Sequence, residues 1–446
     1  MEKQIHDLIM PLSEKLIKQL SQLLEKPEHR SLSLFGIELM VYKLLAAMAL
    51  ELMGALIVLL FARGYQASTL PCPGCGGKMK FHGYGHRPVI SCFGRLSYER
   101  AYYYCGSCHS GKAPLDERLE TSSRKFSPRL ERIMAFLAGH LSFEVVEKAL
   151  QECYQLDTSH EAIRQVAEAI GQEARQWEDQ QQGGAADQPL ARKPARRKAK
   201  TWIVEIDGKK VGFQDGSWNE VKVGVIYHLS DRVEVHSGRA ELLKKELIAR
   251  RSGWQEFAGH FWAAMHRAGI REGDRIVAVA DGAEAIESIF QLVAPDAKRI
   301  RDFYHVAERI YAVGELRFGA GSCEAARWIG LQLHQLKRSQ VSAVIASIAH
   351  LKFSTQQAEQ TRAQVIGYLQ KHRHAMQYGD YQQEGLPIGS GAVEGGCGLV
   401  GARTNGCGRR WSLAGCDQMV ALRTAVLTDR LDLIRPQPKI ELDWAA

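Results

Sequence analysis

The sequence predicts a multidomain α/β protein in which helical and cysteine-rich modules precede an α/β core. Three observations support this fold class. The chain has 446 residues, more than one ordinary domain contains, and 45% of them are hydrophobic, enough to bury a sizeable core. Four cysteines form two Cys-x-x-Cys pairs. After residue 200, apolar strand-like runs alternate with helical segments.

Changes in residue pattern divide the chain into segments. Apolar residues at helical spacing mark the helical segments, and a polar, glycine-containing stretch marks a linker. In order, the segments are a helical N-terminal segment (1–66), a cysteine-rich module (67–115), a helix-turn-helix-like module (116–178), a basic linker (179–200), the first part of the core (201–305), a helical insertion (306–380), the C-terminal part of the core (381–435) and a tail (436–446).

The charge and the apolar content of the chain limit which partners and which cellular location are expected. The formal net charge of +8 suits a polyanionic partner, although many soluble proteins are mildly basic. The most apolar stretch, residues 45–61, is interrupted by Glu51 and is shorter than the roughly 20 residues that a membrane helix needs. It therefore predicts a buried or oligomer-forming helix and no membrane partner. No signal peptide or secreted disulfide pattern is visible, so a cytoplasmic location is expected.

The two cysteine pairs have the spacing of a metal site. Cys72 and Cys75 form one Cys-x-x-Cys turn, and Cys105 and Cys108 form another. Each turn can direct two thiolates at one ion, so two turns complete a tetrahedral zinc site with bonds of about 2.3 Å. The residues between the pairs suit a β-hairpin, which predicts a zinc ribbon with structural Zn²⁺. Free thiols or a redox pair are the alternative, though a redox pair needs only one such turn.

Residues 142–175 predict two helices with a break near the sequence YQLDTS. An oxygen-bearing side chain at 157–159 can cap the second helix. A unit of this kind can place its second helix in the major groove of DNA, where His160, Arg164 and Gln165 would meet bases or phosphates. A plain helical hairpin is the alternative interpretation.

The linker ends in a strongly basic run. The sequence ARKPARRKAK contains six basic residues and no acidic one. Cations in such a run would contact DNA phosphates, and their effect would weaken with salt. A solvated linker without DNA contacts is the alternative. The residues concerned are Arg192, Lys193, Arg196, Arg197 and Lys198.

Two aspartates follow apolar runs in the core. Asp207 follows TWIVEI and Asp281 follows RIVAVA, so both are predicted to end strands of a sheet covered on both faces. Ligand sites of open α/β sheets form beyond such ends, and the glycine after each aspartate allows a close approach. EVKVGVIYHL and RVEVHSGR are predicted to form a hairpin, residues 240–268 a helix, and AKRIRDFYH a fifth strand. This order is that of the ribonuclease H fold, a mixed five-stranded sheet with its first and fourth strands side by side.

Glu394, in GLPIGSGAVEGGCG, is the candidate for a third carboxylate, in the first turn of a helix that Ser390 would cap. Three carboxylates can hold two Mg²⁺ or Mn²⁺ ions about 3.5–4 Å apart for phosphodiester chemistry. The alternative for Asp207 and Asp281 is that they cap turns. Glu205 shares a strand face with Asp207, either near the site or on a solvated edge. Three other acidic residues compete with Glu394: Glu384, Glu284 and Asp302.

Several motifs together resemble the DDE transposases of bacterial insertion sequences, in particular the Kra-type group. They are the two cysteine turns, LSFEVVEKAL with TSHEAIRQVAEAIG, VEIDG, WNEVKVGVIYHL, VAVADGAE, RDFYHVAE, GLPIGSGAVEGGC and RRWSLAGCDQMVALRTAVL. The resemblance covers residues 72–432 and implies a ribonuclease H-like catalytic domain in which Asp207, Asp281 and Glu394 bind the metal. The DFYH element is similar to the Asp/Cys-x-x-His element of Mutator-like transposases, which implies that Asp302 and His305 lie near the site.

The resemblance implies metal-dependent cleavage of terminal inverted repeats, followed by attack of the freed 3′-hydroxyl on target DNA. It also implies a bacterial, nucleoid-associated protein that forms a homo-oligomer on DNA. His305 would contact a phosphate or orient a carboxylate, with a structural role as the alternative. Arg409, Arg410 and Trp411 would hold the backbone or stack a flipped base, with a core position as the alternative for Trp411. Two rival functions stay open: a nuclease of the same fold that does not join strands, and a DNA-binding protein with an inactive site.

Overall fold

The computed structural model of this protein describes residues 2–27, 31–192, 194, 196–236, 239–406 and 408–440. The chain divides into two compact units, Met1–Ala167 and Glu168–Ala446. The division falls inside a helix, His160–Ala185, and not at the predicted linker. One predicted DNA contact, Lys193, lies outside the described residues.

Two long helices, α1 (Glu2–Leu24) and α2 (Leu34–Phe61), open the first unit. By length and composition the stretch Leu34–Gly64 could cross a membrane, a property that it shares with core helices and signal sequences. No residue of α2 is buried, so the buried alternative for this helix is wrong, and a role in forming an oligomer stays a prediction. Part of one helix face nevertheless packs on the strands that follow. The α2 residues in this contact are Leu50, Met53, Ile57 and Phe61.

A four-stranded antiparallel sheet in the order β1-β2-β3-β4 follows α2. Its strands are β1 (Thr69–Pro71), β2 (Lys78–Ser91), β3 (Gly94–Cys105) and β4 (Gly111–Lys112). The β2–β3 hairpin pairs from Met79 opposite Cys105 to Ser91 opposite Gly94. The hairpin predicted between the two cysteine pairs is therefore confirmed.

Four helices complete the first unit and cross into the second. They are α3 (Pro114–Arg118), α4 (Pro128–His140), α5 (Phe143–Tyr154) and α6 (His160–Ala185). Gln155 ends α5 in the left-handed conformation, and the Ser159 hydroxyl caps α6 by accepting the Ala162 amide at 3.2 Å. The two predicted helices and the break between them are thus present. However, α6 continues to Ala185, so the first part of the predicted linker is helical.

The second unit is built on a mixed five-stranded sheet in the order β11-β10-β5-β6-β9. β5 pairs in parallel with β10, which pairs in parallel with β11, whereas β6 and β9 add antiparallel pairs on the other side. The strands of this unit are β5 (Thr201–Gly212), β6 (Trp218–His228), β7 (Arg232–His236), β8 (Arg239–Leu242), β9 (Glu246–Arg250), β10 (Arg275–Ala280) and β11 (Lys298–Arg301).

Helices cover the sheet and form the insertion. The remaining helices are α7 (Trp254–Ala268), α8 (Glu284–Val293), α9 (Phe303–Phe318), α10 (Cys323–Lys337), α11 (Val341–Ala349), α12 (Gln356–His372), α13 (Tyr378–Gln383), α14 (Gly391–Thr404), α15 (Leu413–Leu427) and α16 (Leu431–Ile434). The insertion predicted at 306–380 is helical, as expected, and comprises most of α9 together with α10 to α12 and the start of α13.

The two faces of the sheet have different roles because side chains alternate along each strand. On β5, Trp202, Val204 and Ile206 enter an apolar core shared with α7 and α8. The alternate residues Glu205 and Asp207 belong to the opposite face, which α14 covers. This division leaves the acidic side chains on the face opposite the main apolar core.

Two details of the predicted strand order are wrong. β6 does not pair with β7; it pairs with β9, and β7 and β8 form a separate two-stranded ribbon. Every residue of β7 is exposed, so its alternating pattern does not mark a half-buried strand. Residues 246–250, expected to lie within a helix at 240–268, form β9 instead because their side chains complete the buried edge of the sheet. The helix begins only at Trp254.

Candidate functional site

Asp207 lies within β5, because the pairing of β5 with β6 continues to the end of β5 at Gly212. The prediction that Asp207 ends its strand is therefore wrong on that side. On the parallel side, β10 pairs with β5 only as far as Val279 opposite Glu205, and these partners differ by 74 positions (279 minus 205). Asp281 and Asp207 differ by the same number. Extending this register by two residues would set Asp281 opposite Asp207, just past the end of β10.

The turn at Asp281 is held from two directions. The Asp281 Oδ1 atom accepts the Ala283 amide at 2.8 Å. The Asp281 carbonyl accepts the Tyr368 hydroxyl at 2.7 Å, which ties the turn to helix α12 of the insertion. Gly282 has φ +94°, and a Cβ there would lie 3.0 Å from the Arg301 Nε. Glycine thus supplies both the conformation and the space that this turn requires.

Glu394 stands in the first turn of α14, and its side chain is exposed. Cys397 lies three residues further on, where a side chain shares the helix face with Glu394. The Cys397 Sγ is 3.7 Å from the Asp207 Oδ2. Burial raises the pKa of the Cys397 thiol to about 12, and the charges of Asp207 and Glu394 act in the same direction. The thiol therefore lies within the field of both carboxylates, on the face of α14 that meets β5.

Glycine lets α14 lie close to the sheet. A Cβ at Gly396 would lie 3.1 Å from a Val225 methyl group and 3.2 Å from methyl groups of Val223 and Leu247. A side chain there would push the helix away from β6 and β9. The glycines of this segment weakened the helix prediction from propensity, and tertiary packing is the reason that one of them is present.

Asp302 directly follows β11 and is completely buried. Its Oδ1 atom caps α9 by accepting the amides of Tyr304 at 2.6 Å and His305 at 3.0 Å. Its Oδ2 atom accepts the Ser390 amide at 2.5 Å and also the Ser390 hydroxyl. The expectation that Ser390 caps α14 is therefore wrong, because its hydroxyl is directed at Asp302 and makes no capping hydrogen bond.

Glu205 is also completely buried, on the same strand face as Asp207. Its Oε2 atom accepts the Val393 amide at 2.8 Å, and its Oε1 atom accepts the Tyr227 hydroxyl at 3.0 Å. Burial raises the pKa of Glu205 to about 8, and the charge of Asp302 adds to this effect against the lowering by the hydrogen bonds. The alternative of a solvated edge for Glu205 is thus excluded.

The acidic residues form two neighbouring groups. Ligand atoms of Asp302, His305 and Glu394 all lie within 4.8 Å of one another. Within the described ranges, no group of three ligand atoms at this spacing includes Asp207 or Asp281. The structure therefore gathers Glu394 with the DFYH element, whereas strand register relates Asp207 to Asp281. His305 is half-buried, and its Nδ1 atom is 3.4 Å from Glu308.

The three residues predicted to read DNA lie in the first turns of α6 and contact nearby carboxylates. The His160 Nδ1 atom is 3.2 Å from Glu147. Arg164 donates two hydrogen bonds to Glu161 at 2.8 and 2.6 Å, and Gln165 donates one at 3.0 Å. Exposed pairs of this kind contribute little to stability. They therefore leave these side chains able to exchange a carboxylate for a phosphate.

The segment after α6 is attached to the second unit. The Glu272 amide donates to the Ala191 carbonyl at 3.0 Å, and Arg197 donates to the Asp274 carboxylate at 2.9 Å. The Asp274 side chain is buried, and its oxygens also accept the Lys200 amide, so Asp274 anchors this segment at two points. The description of this segment as a free linker is therefore wrong. Three of its predicted phosphate contacts are exposed: Arg192, Arg196 and Lys198.

Trp411 has the core position that was the alternative to stacking on a base, because its side chain is buried. Its indole nitrogen donates to the Thr404 carbonyl at 2.9 Å, and the Arg403 guanidinium lies over its ring at 5.1 Å. Arg409 is half-buried and donates to the carbonyls at the end of α14. Arg410 is exposed and lies over the Trp218 ring at 5.2 Å.

The four cysteines form a cluster that could hold a metal ion. Their sulfur atoms all lie within 4.8 Å of one another, with Cys72 to Cys108 at 3.5 Å and Cys75 to Cys105 at 3.7 Å. A tetrahedron with zinc–sulfur bonds of about 2.3 Å has sulfur–sulfur edges of roughly 3.8 Å. A hydrogen bond from the Ser110 hydroxyl lowers the pKa of Cys72 to about 6, so this sulfur is prepared to bind as a thiolate.

Comparison with known proteins identifies the family. A family model described as "Uncharacterised protein family (UPF0236)" matches residues 78–430. The chain belongs to the UPF0236 family. The "UPF0236 protein in vanSb 3'region" of Streptococcus gallolyticus is 26% identical over 353 residues, which cover 76% of this chain and 72% of that relative. Neither description states an activity or a substrate.

Sequence reasoning left three contributors to the site without a role. The sequence predicts only a position near the site or on a solvated edge for Glu205, predicts proximity to the site for Asp302, and predicts nothing for Tyr368. The signal for Glu205 was available in its position, since an acidic residue in an otherwise apolar strand must be paired when it is buried. Tyr368 carries no such signal, because it lies 87 positions from the turn it supports.

Proposed function

We propose that this UPF0236 protein is a DDE-type DNA transposase that cuts the ends of an insertion sequence and joins them to target DNA. The observation that carries the proposal is the parallel pairing of β5 with β10, whose register relates Asp207 to Asp281. Helix α14 covers the same face of β5 and carries Glu394 in its first turn. The resemblance of the sequence motifs to DDE transposases supports the same assignment.

The sheet order supports a ribonuclease H-like core. In such a core the first strand is central, two antiparallel strands follow on one side, and two parallel strands lie on the other side. The order β11-β10-β5-β6-β9, with α7 before β10 and α8 before β11, agrees with that arrangement.

The carboxylates suit a hard divalent cation. Mg²⁺ and Mn²⁺ prefer oxygen ligands. One Asp281 oxygen accepts the Ala283 amide, and the other oxygen accepts no hydrogen bond from the described residues, so it is available to a metal. The Glu394 side chain is exposed and can turn toward Asp207. When bound by Asp207, Asp281 and Glu394, two such ions would activate the attacking oxygen and stabilise the leaving oxygen.

Other residues of the chain would bind and orient DNA. We assign phosphate contacts to the exposed cations Arg196, Lys198 and Arg410, whose affinity for DNA would fall with salt. His305, beside Glu394, would donate a hydrogen bond to a phosphate oxygen. The four-cysteine cluster would hold structural Zn²⁺ and has no open ligand position for chemistry. A bacterial cytoplasmic protein that assembles as an oligomer on DNA follows from the same proposal.

The test uses the purified chain and a plasmid carrying the DNA that flanks its gene. We expect Mg²⁺-dependent cleavage at repeat ends and joined products in a strand-transfer assay. Asp207→Asn and Asp281→Asn should each abolish cleavage and retain DNA binding, because the amide cannot replace a charged ligand. Asp215→Asn, in an exposed turn, is the matched control and should retain activity.

Each other result distinguishes an alternative. Cut ends without joined products would favour a nuclease of the same fold. Binding without cleavage by the unmodified chain would favour a DNA-binding protein. Undiminished Mg²⁺-dependent cleavage by Asp207→Asn would overturn the assignment of the site.

A further inference from the structure

We infer that Asp302 and Glu205 are positioning residues, a pair of buried carboxylates that fix the first turn of α14 and thereby determine where Glu394 stands. We call them the buried clamp. The inference rests on the proposed function for its catalytic consequence, but the clamp itself is a structural device that can be measured without catalysis.

The first argument is the distribution of hydrogen bonds at the start of α14. The first amides of a helix have no partner within the helix and require acceptors from elsewhere. The Ser390 amide donates to Asp302 at 2.5 Å, and the Val393 amide is shared between the Glu205 carboxylate at 2.8 Å and the Ser390 carbonyl at 3.1 Å. Two carboxylates from different elements therefore cap this helix, in place of the usual side chain of its own N-terminal residue.

The second argument is that Asp302 has no capacity left for a cation. A carboxylate offers about four acceptor positions. Asp302 already accepts two amides at the start of α9, through Oδ1, and both the amide and the hydroxyl of Ser390, through Oδ2. Although its oxygens lie within 4.8 Å of ligand atoms of His305 and Glu394, binding a metal would require breaking a buried hydrogen bond. Asp302 is therefore an anchor beside the site and not a ligand.

The third argument is where the two anchors are attached. Glu205 lies on β5 two residues before Asp207, and Asp302 lies three residues before His305. The clamp therefore connects the first turn of α14, which carries Glu394, both to the strand that carries Asp207 and to the helix that carries His305. Because Glu394 directly follows Val393, a shift of the clamped amide moves the Glu394 backbone with it.

Backbone contacts strengthen the same junction. The Phe303 amide donates to the Ile388 carbonyl at 2.8 Å. A Cβ at Gly389 would lie 2.7 Å from the Tyr304 ring, so the chain before α14 lies directly against the start of α9. Substituting a residue at the clamp therefore removes the polar contacts without removing this packing, which makes a folded variant obtainable.

The experiment measures amide hydrogen exchange and DNA cleavage on the full chain. Variants Asp302→Asn and Glu205→Gln replace each acceptor with a nearly isosteric amide, and Ser390→Ala removes the hydroxyl alone. The control variants change exposed acidic residues of the same unit: Asp296→Asn and Glu324→Gln. Urea unfolding reports global stability, and peptides from α15 report exchange elsewhere in the unit.

We expect Asp302→Asn and Glu205→Gln to speed exchange of residues 391–394 about tenfold or more, with exchange in α15 unchanged. The Mg²⁺ concentration required for half-maximal cleavage should rise and the maximal rate should fall, because the third carboxylate is misplaced. Ser390→Ala should show a smaller effect, and Ser390→Thr, which keeps the hydroxyl, should behave as the unmodified chain does.

Unchanged exchange at 391–394 in both variants would overturn the clamp. So would faster exchange that is equal throughout the unit, since that indicates general destabilisation. If the unmodified chain cleaves no DNA, the proposed function fails, while the exchange data still decide the clamp. If exchange rises locally but the Mg²⁺ requirement and rate of an active chain stay unchanged, the positioning role is wrong.

Discussion

The carboxylate of Glu205 accepts the backbone amide of Val393 at 2.8 Å, across 188 positions of sequence. This contact joins the strand that carries Asp207 to the helix that carries Glu394. Two uses of acidic residues are distinguished in the second unit: completely buried carboxylates hold the frame, and partly or fully exposed ones are available for ligands.

Gly282→Ala should destabilise the chain and reduce cleavage. The substitution places a Cβ at φ +94° and 3.0 Å from Arg301. Left-handed backbone costs a residue with a Cβ about 1–2 kcal/mol, and crowding adds to this cost. Gly216→Ala is the matched control, since Gly216 has φ +84° with no atom within 4 Å of the added methyl. Equal losses in urea-derived free energy of unfolding for both variants would show that crowding at Gly282 is unimportant.

The cysteine cluster should bind one zinc ion per chain. Cys105→Ser removes a buried ligand and should lower the zinc content of the purified chain toward zero, as measured by metal analysis. Because metal binding is coupled to folding of such modules, residues 69–112 should become sensitive to protease. Cys323→Ser changes an exposed cysteine outside the cluster and should keep the metal. A protease-resistant, zinc-free Cys105→Ser chain would contradict a structural zinc site.

Basic residues near 196–198 should divide into DNA contacts and structural anchors. Replacing the exposed Arg196 and Lys198 together with alanine should weaken DNA binding and lower the salt slope by about 2, since each phosphate contact contributes about 0.9. The free energy of unfolding of this double variant should equal that of the unmodified chain. Arg197→Ala should instead destabilise the fold, because the buried Asp274 carboxylate would lose the guanidinium that pairs with it at 2.9 Å. A large salt-slope change for Arg197→Ala alone would reverse these roles.

Acid should destabilise the second unit through His260. Burial lowers the pKa of the His260 imidazole to about 4, and the charges of Arg250, Arg267 and Arg175 act in the same direction against Asp179. The unfolded chain, with a pKa near 6.5, therefore binds a proton that the folded chain excludes between about pH 6.5 and 4. Stability is present above pH 6.5 and falls as the pH decreases through this window.

The exclusion of a proton from His260 lowers the free energy of unfolding by about 2 kcal/mol between pH 7.5 and pH 5, and by about 3 kcal/mol once the pH reaches about 4. Urea unfolding at pH 7.5 and pH 5 measures it. In His260→Gln the free energy of unfolding should differ less between the two pH values than in the unmodified chain. His334→Gln changes an exposed histidine on α10 and should show the same difference as the unmodified chain. An identical pH dependence for the unmodified chain and His260→Gln would contradict the assignment.

Local patterns were sufficient for elements whose stability depends on neighbours in sequence. The β2–β3 hairpin and the helices of 142–175 followed from turn residues, periodicity and caps. The pairing of β6 with β9 did not, because β7 has the alternating pattern of a paired strand but no buried face. Trp411 was ambiguous for a similar reason, since an aromatic side chain packs equally well on a base or in a core, and only its neighbours decide.

The sequence by itself determined the four clustered cysteines, the alternation of strand-like runs with helical segments in the core, and the candidates Asp207, Asp281 and Glu394. Spacing and residue type specify these features because each depends on a few adjacent positions. Tertiary structure decided which acidic residues are anchors and which are available as ligands. Burial and hydrogen-bond partners control that distinction, and the partners of Asp302 and Glu205 at the start of α14 lie 88 and 188 positions away.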